Sequence, residues 1–160
     1  MLHSPDHKSA STAAALAPEP RASTRPGVTD IVLISPHKFD KNMLESAISS
    51  ARWNVFHVHG CEEALAIMTS VLVPVVVCDR GVQEGRWQEA MHRIFSSPHP
   101  APVLLTAASY DWRLWVETID CGGFDLLVSP FRNAEEKLLR ARRHWEDGRV
   151  RRTWDQFFRR

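Results

Sequence analysis

The chain has 160 residues, 44% of them hydrophobic and 24% charged, with a formal net charge of +1. That is about one domain's worth of sequence with enough apolar residues for one core, and a charge balance that names no class of partner. No run of eighteen apolar residues is present to span a membrane, and the only apolar patch near the N-terminus, residues 13–17, is too short for a signal peptide.

Three cysteines, Cys61, Cys78 and Cys121, lie far apart without a C-x-x-C pair, which argues against a disulfide or zinc framework and for a reducing, cytoplasmic setting. Charge is unevenly spread. Residues 132–160 carry ten Arg and Lys against five Asp and Glu, whereas residues 1–131 carry ten against fourteen. The basic character therefore belongs to the C-terminal end.

Residues 1–27 are rich in Ser, Ala, Pro and Thr, have no hydrophobic period, and are expected to form a disordered leader. Residues 31–34 (Ile-Val-Leu-Ile) read as the first buried strand, ended by Ser35-Pro36 because proline cannot donate to a sheet ladder. Met43, Leu44, Ala47 and Ile48 recur at helical spacing, with Asp40 as the expected N-cap. Residues 54–59 form the second strand, and Ala64, Leu65 and Met68 mark the second helix. Residues 73–79 are a β-branched run, the signature of a strand buried on both faces, and it ends in the carboxylate Asp79. In open α/β sheets ligands collect at the carboxyl ends of such strands.

Residues 86–95 form the next helix, with Trp87, Ala90, Met91, Ile94 and Phe95 on one side. Residues 102–106 are the fourth strand, ending at Thr106. Residues 111–121 are helical, stopped by Gly122-Gly123. Residues 124–128 are the fifth strand. Asn133 caps a last helix that runs to about Trp145; Gly148 then interrupts it, and residues 149–160 are expected to form a short extra helix or to fray. Five β-α repeats imply a doubly wound, five-stranded parallel sheet with helices on both faces. The expected organisation is a leader over 1–27, a domain over 28–147 and a basic tail over 148–160.

These pieces, in this order, resemble the receiver domain of bacterial two-component response regulators. Gly60-Cys61-Glu62-Glu63-Ala64-Leu65 is similar to the segment opening that family's second helix. Pro74 through Asp79 is similar to its third strand, with Asp79 at the phospho-acceptor position. Leu104-Leu105-Thr106-Ala107 matches the fourth strand, with Thr106 as the switch hydroxyl. Residues 122–131, ending Ser129-Pro130-Phe131, match the fifth-strand block. The resemblance implies a flavodoxin-like fold and a stand-alone signalling module, not an enzyme, which takes a phosphoryl group from a histidine kinase.

The departures bear on function. The family's Mg²⁺-holding acidic pair falls on Ser35 and Pro36, its lysine on Ser129 and its switch aromatic on Leu126. Phosphoryl transfer needs cations to neutralise oxygens that gather charge, and Asp79 alone is a poor magnesium ligand. Arg80 or Lys38 could stand in by reaching over the strand ends, although a surface base is usually just solvated. Mg²⁺ is therefore expected only if Asp79 is phosphorylated. The alternative is a phosphorylation-independent pseudo-receiver acting by protein contact.

Trp112 and Trp115 lie three apart on the fourth helix and share a direction. The resemblance places that helix on the output face with the fifth strand and fifth helix, where the pair would mark a partner or homodimer surface; otherwise one or both fill the groove against the sheet. His57, His59 and Cys61 stand at i, i+2 and i+4, but Cys61 falls past the end of the second strand and no fourth ligand is evident, so the spacing reads as a partly exposed strand face. No nucleophile elbow or phosphate loop is present. The C-terminal segment interleaves eight arginines with Trp145, Trp154, Phe157 and Phe158. It reads as a docking helix for a protein, as a solvated extension with its aromatics folded back, or, less in keeping with the rest, as a nucleic-acid grip.

Overall fold

A computed structural model describes residues 18–82 and 86–159. Residues 1–17 of the expected leader lie outside the described residues, as do the loop residues 83–85. Five strands alternate with five helices: β1 (Thr29–Ile34), α1 (Lys38–Ala47), β2 (Trp53–Val58), α2 (Cys61–Ser70), β3 (Val75–Cys78), α3 (Trp87–Phe95), β4 (Val103–Ala107), α4 (Trp112–Asp120), β5 (Asp125–Val128) and α5 (Ala134–Phe158). Every strand pairing is parallel and the sheet order is β2-β1-β3-β4-β5. This is the doubly wound arrangement that strict alternation predicts. Strand order reverses between β1 and β3, so the carboxyl edge of these two strands opens the crevice of the fold.

The alternation of side chains along the central strands divides the core in two. Val32, Ile34, Val76, Cys78 and Leu105 face α2 and α3, packing on Ala64, Met68, Met91 and Ile94. Ile31, Leu33, Val75, Val77 and Leu104 face α1 and α5, packing on Leu44, Leu138 and Ala141. Because both faces are covered, all four residues of β3 are buried, which is why the strand reads as a continuous apolar run. Burial also pushes the Cys78 thiol up to about 12, so it behaves as a small apolar side chain.

Three expectations change. The end of the leader is pinned: Arg21 bridges Val71 in parallel, its N–H donating to Ser70 O at 2.9 Å and its carbonyl accepting from Leu72 N–H at 2.7 Å. Asp40 is not the N-cap of α1, since the helix starts at Lys38 behind His37 and Asp40 lies inside its first turn. Asn133 does sit at the N-cap of α5, without a side-chain capping bond, but the helix does not stop near Trp145. It runs through Gly148 to Phe158, so the basic tail is its last turns. A helical glycine costs only about 1 kcal/mol relative to alanine, and the arginines around it are good helix formers, so continuation wins.

Gly148 has nothing within 4 Å of where a Cβ would lie. Gly148→Ala is therefore expected to stabilise the protein by about 0.5–1 kcal/mol, through a better helix and a less mobile unfolded chain. Urea denaturation followed by circular dichroism checks this; an unchanged or lower midpoint would mean that the glycine is needed in the fold.

Candidate functional site

Asp79 leaves the end of β3 at the carboxyl edge of the sheet, with its N–H donating to Ile34 O at 2.8 Å, so its backbone is clamped beside the end of β1. Its half-buried side chain is held on both oxygens. Gly81 N–H donates to Oδ1 at 2.7 Å, and Thr106 Oγ1, at the edge of neighbouring β4, donates to Oδ2 at 3.2 Å. A Cβ on Gly81 would stand 3.0 Å from Asp79 Oδ1, so the small residue is what lets the loop close on the carboxylate. Asp79 and Thr106, 27 residues apart, are thus brought together.

The first turn of α1 adds a second carboxyl. Starting at Lys38 turns Asp40 back toward the sheet edge, where it accepts a hydrogen bond from Ser35 Oγ and lies near enough to Asp79 to be influenced by its charge. Burial raises the Asp40 pKa above its ordinary value; the Ser35 bond opposes the rise and Asp79 adds to it through hydrogen bonding and like charge. Asp40 thus holds its proton to higher pH than a surface aspartate does. Ser35 is fully buried. Its hydroxyl also accepts from His37 N–H at 3.1 Å, and its carbonyl lies 2.9 Å from His57 Nε2. Pro36 is exposed at the start of the loop.

The remaining predicted positions do not join this cluster. Ser129 Oγ donates to Met43 Sδ at 3.4 Å. Leu126 is fully buried in the core. Lys38 and Arg80 are exposed, and among the described residues neither contacts Asp79. His57 and His59 keep their rings 5.1 Å apart, but Cys61 turns into the core, its thiol on Ala90 O, and no metal-binding cluster occurs among the described residues.

Trp112 and Trp115 do not fill the groove against the sheet: they are 61% and 39% exposed, with Val116 and Ile119 exposed beside them. Trp115 Nε1–H donates to Asp125 Oδ1 at 3.1 Å, while Lys137 Nζ approaches Asp125 Oδ2 at 3.3 Å and donates to Leu126 O at 2.6 Å. Asp125 therefore ties α4 to α5 across β5, leaving the apolar stripe of α4 outward. Two features escaped the sequence reading. The nearness of Asp40 to Asp79 carries no motif, and its only signal is an aspartate in the first turn of the helix that follows β1. The Trp115–Asp125–Lys137 link is long-range and has none.

No family model matches the chain. No curated protein matches it either. Solved structures do. The signal receiver domain of an HD domain-containing protein from Pseudomonas fluorescens Pf-5 superposes with a TM-score of 0.65 at 19% identity, over 81% of this chain and 97% of that one. The fold is that of a response-regulator receiver domain. The chemotaxis response regulator CheY4 of Vibrio cholerae agrees, with a TM-score of 0.60 at 18% identity over 74% of this chain and 98% of the other. So does a CheY-like receiver domain protein from Methanospirillum hungatei JF-1, with a TM-score of 0.63 at 11% identity over 76% and 98%. At these identities the likeness is one of fold. The receiver fold spans β1 to α5, and among the described residues no helix is long and apolar enough to cross a membrane.

Proposed function

We propose that the chain is a receiver-type signalling module of a phosphorelay, with Asp79 as phospho-acceptor and Asp40 taking over the acidic role lost at Ser35 and Pro36. The observation that carries this reading is the nearness of Asp40 to Asp79 at the carboxyl edge of the sheet, with the Thr106 hydroxyl on the same Asp79 carboxylate. Magnesium fits this donor set: it is a hard cation that takes one or two carboxylates together with water and phosphate oxygens. Asp79 and Asp40 would hold it, and it would neutralise charge on the transferring phosphoryl group. An oxygen of Asp79 attacks the phosphorus in line, and the bond to the donor, a phosphohistidine of a kinase partner, breaks as the new P–O bond forms. The Thr106 hydroxyl then turns from carboxylate to phosphoryl oxygen. Thr106 lies in the strand that feeds α4, so its movement reaches the face carrying Trp112 and Trp115, where a protein partner or a second copy docks.

A second reading rests on a different observation. The hydroxyl of Ser129 goes to Met43, and neither Lys38 nor Arg80 contacts Asp79. Among the described residues, this edge thus lacks the second cation that phosphoryl oxygens call for. On that reading the domain is a pseudo-receiver that signals by contact alone.

Incubation with acetyl phosphate and Mg²⁺, read by intact mass, separates the two. The first reading predicts a gain of one phosphoryl group that needs the metal and disappears in Asp79→Asn. No gain in folded protein leaves the pseudo-receiver.

A further inference from the structure

The amino edge of the sheet carries a cleft that the chemistry at Asp79 does not use. One wall is the end of α2 and the approach to β3, with Met68 and Val73. A second is the loop before β4, with Pro98 and His99, and a third is the overhanging second half of α5. Glu19 and Pro20, held by the bridge of Arg21 to Val71, close the remaining side. The cleft measures about 280 Å³, near the lower end of small-ligand sites. Val73 and Asp79 lie at opposite ends of β3, roughly 20 Å apart along the strand, so the two places are separate.

The face of α5 that packs Ala134, Leu138 and Ala141 on the sheet continues through Trp145 to Arg149, Arg152 and Gln156. Those last three line the cleft. A helix surface turned toward its own domain is ordinarily apolar, yet this one presents two guanidinium groups one turn apart. Like charges at such spacing disfavour each other. Acids do not relieve them. Glu146 goes to Arg142 at 3.5 Å, and among the described residues no carboxylate pairs with Arg149 or Arg152. Arg149 is instead held over the Trp145 ring at 4.8 Å, which restrains it beside the cleft.

We propose that this cleft binds a small phosphate monoester with a planar, apolar body, of the size of a nucleoside monophosphate. A phosphate dianion has the charge and the oxygens to occupy two arginine forks at once, which a single carboxylate does not. The Gln156 amide and the His99 ring add hydrogen-bonding groups at the same end. Met68, Val73 and Pro98 supply the apolar surface for the body. Glu19 limits the charge, because the further oxygens of a polyphosphate would be pressed against its carboxylate.

Titration of the full chain with AMP, following the Trp145 indole N–H and the amides of Val73 and Arg152 by NMR, tests the assignment. Saturable shifts are expected with AMP. Inorganic phosphate, without the body, should bind about tenfold more weakly, and adenosine, without the anion, should not bind at the same concentrations. Arg149→Gln and Arg152→Gln keep the helix propensity and should each weaken AMP about tenfold. Arg151→Gln removes the same charge away from the cleft and should bind as the parent does. So should Asp79→Asn, which separates this site from phosphoryl transfer. Circular dichroism checks that each variant is folded. No saturable shift in the parent, or adenosine binding as AMP does, would overturn the site. Equal weakening in Arg151→Gln would reduce it to diffuse attraction by a basic helix, and loss in Asp79→Asn would move the ligand to the other edge; either overturns it. Phosphate binding as tightly as AMP would overturn the ester.

Discussion

Gly123→Ala is expected to destabilise the protein by about 2–3 kcal/mol, the cost of forcing a methyl group into a filled core. A Cβ at this position would stand 2.6 Å from Thr118 Cγ2, 2.8 Å from Met91 Sδ and 2.8 Å from Thr118 O. The methionine sulfur is able to swing aside. Thr118 is not, because it is fully buried with its hydroxyl donating to Leu114 O at 2.7 Å, and its carbonyl accepts the Gly123 N–H at 2.8 Å as α4 closes. Relief therefore requires α4 to move off the sheet, taking the Trp112 and Trp115 face with it. Chemical denaturation should show a lowered midpoint with an unchanged slope. A midpoint equal to the parent would mean that α4 sits more loosely on Met91 than these distances imply.

Asp40→Asn is expected to act in the opposite direction. Burial, together with the neighbouring Asp79 carboxylate, raises the Asp40 pKa in the folded protein above its ordinary 3.8, so the native state holds this proton more tightly than the unfolded chain. The stability linked to that proton is fully present below the unfolded pKa and is lost as pH rises through the raised folded value. The parent protein should therefore weaken between acid and neutral pH at this site. The asparagine keeps an acceptor for Ser35 and offers a donor to Asp79 with no charge to bury. In the absence of divalent cations the variant should be more stable at neutral pH by roughly 1 kcal/mol, the scale of one hydrogen bond, and its stability should depend less on pH. Thermal melts with chelator across this range decide it, and a variant that is weaker than the parent at neutral pH would contradict the nearness of the two carboxyls.

The strands were legible because the two central ones are covered on both faces. Ile31 to Ile34 and Val75 to Cys78 are unbroken apolar runs, and the turn residues after each are strong punctuation. The positions of Asp79 and Thr106 followed from their place at strand ends. Asp40 was misread because capping preference is local, whereas the start of α1 was set one turn earlier by the Ser35-Pro36-His37 corner, with Ser35 Oγ accepting from His37 N–H. The end of α5 was misread for a related reason: Gly148 looks like a stop signal, but one glycine's cost is small beside the backbone hydrogen bonds of a helix already nucleated on the core. The aromatics at the end of that helix read as a docking segment among other readings, but their side was not legible, because Val150, Trp154, Phe157 and Phe158 restart the helical period opposite the buried face of Ala134, Leu138 and Ala141.

The central claim is that Asp40 restores to this sheet edge the acid missing from Ser35 and Pro36. Titration of the folded protein with Mg²⁺, following the amide resonances of Gly81 and Thr106, tests it most directly. The account predicts saturable shifts at millimolar metal that disappear in Asp79→Asn and equally in Asp40→Asn. Shifts in Asp40→Asn that match the parent, or none in the parent, would contradict it.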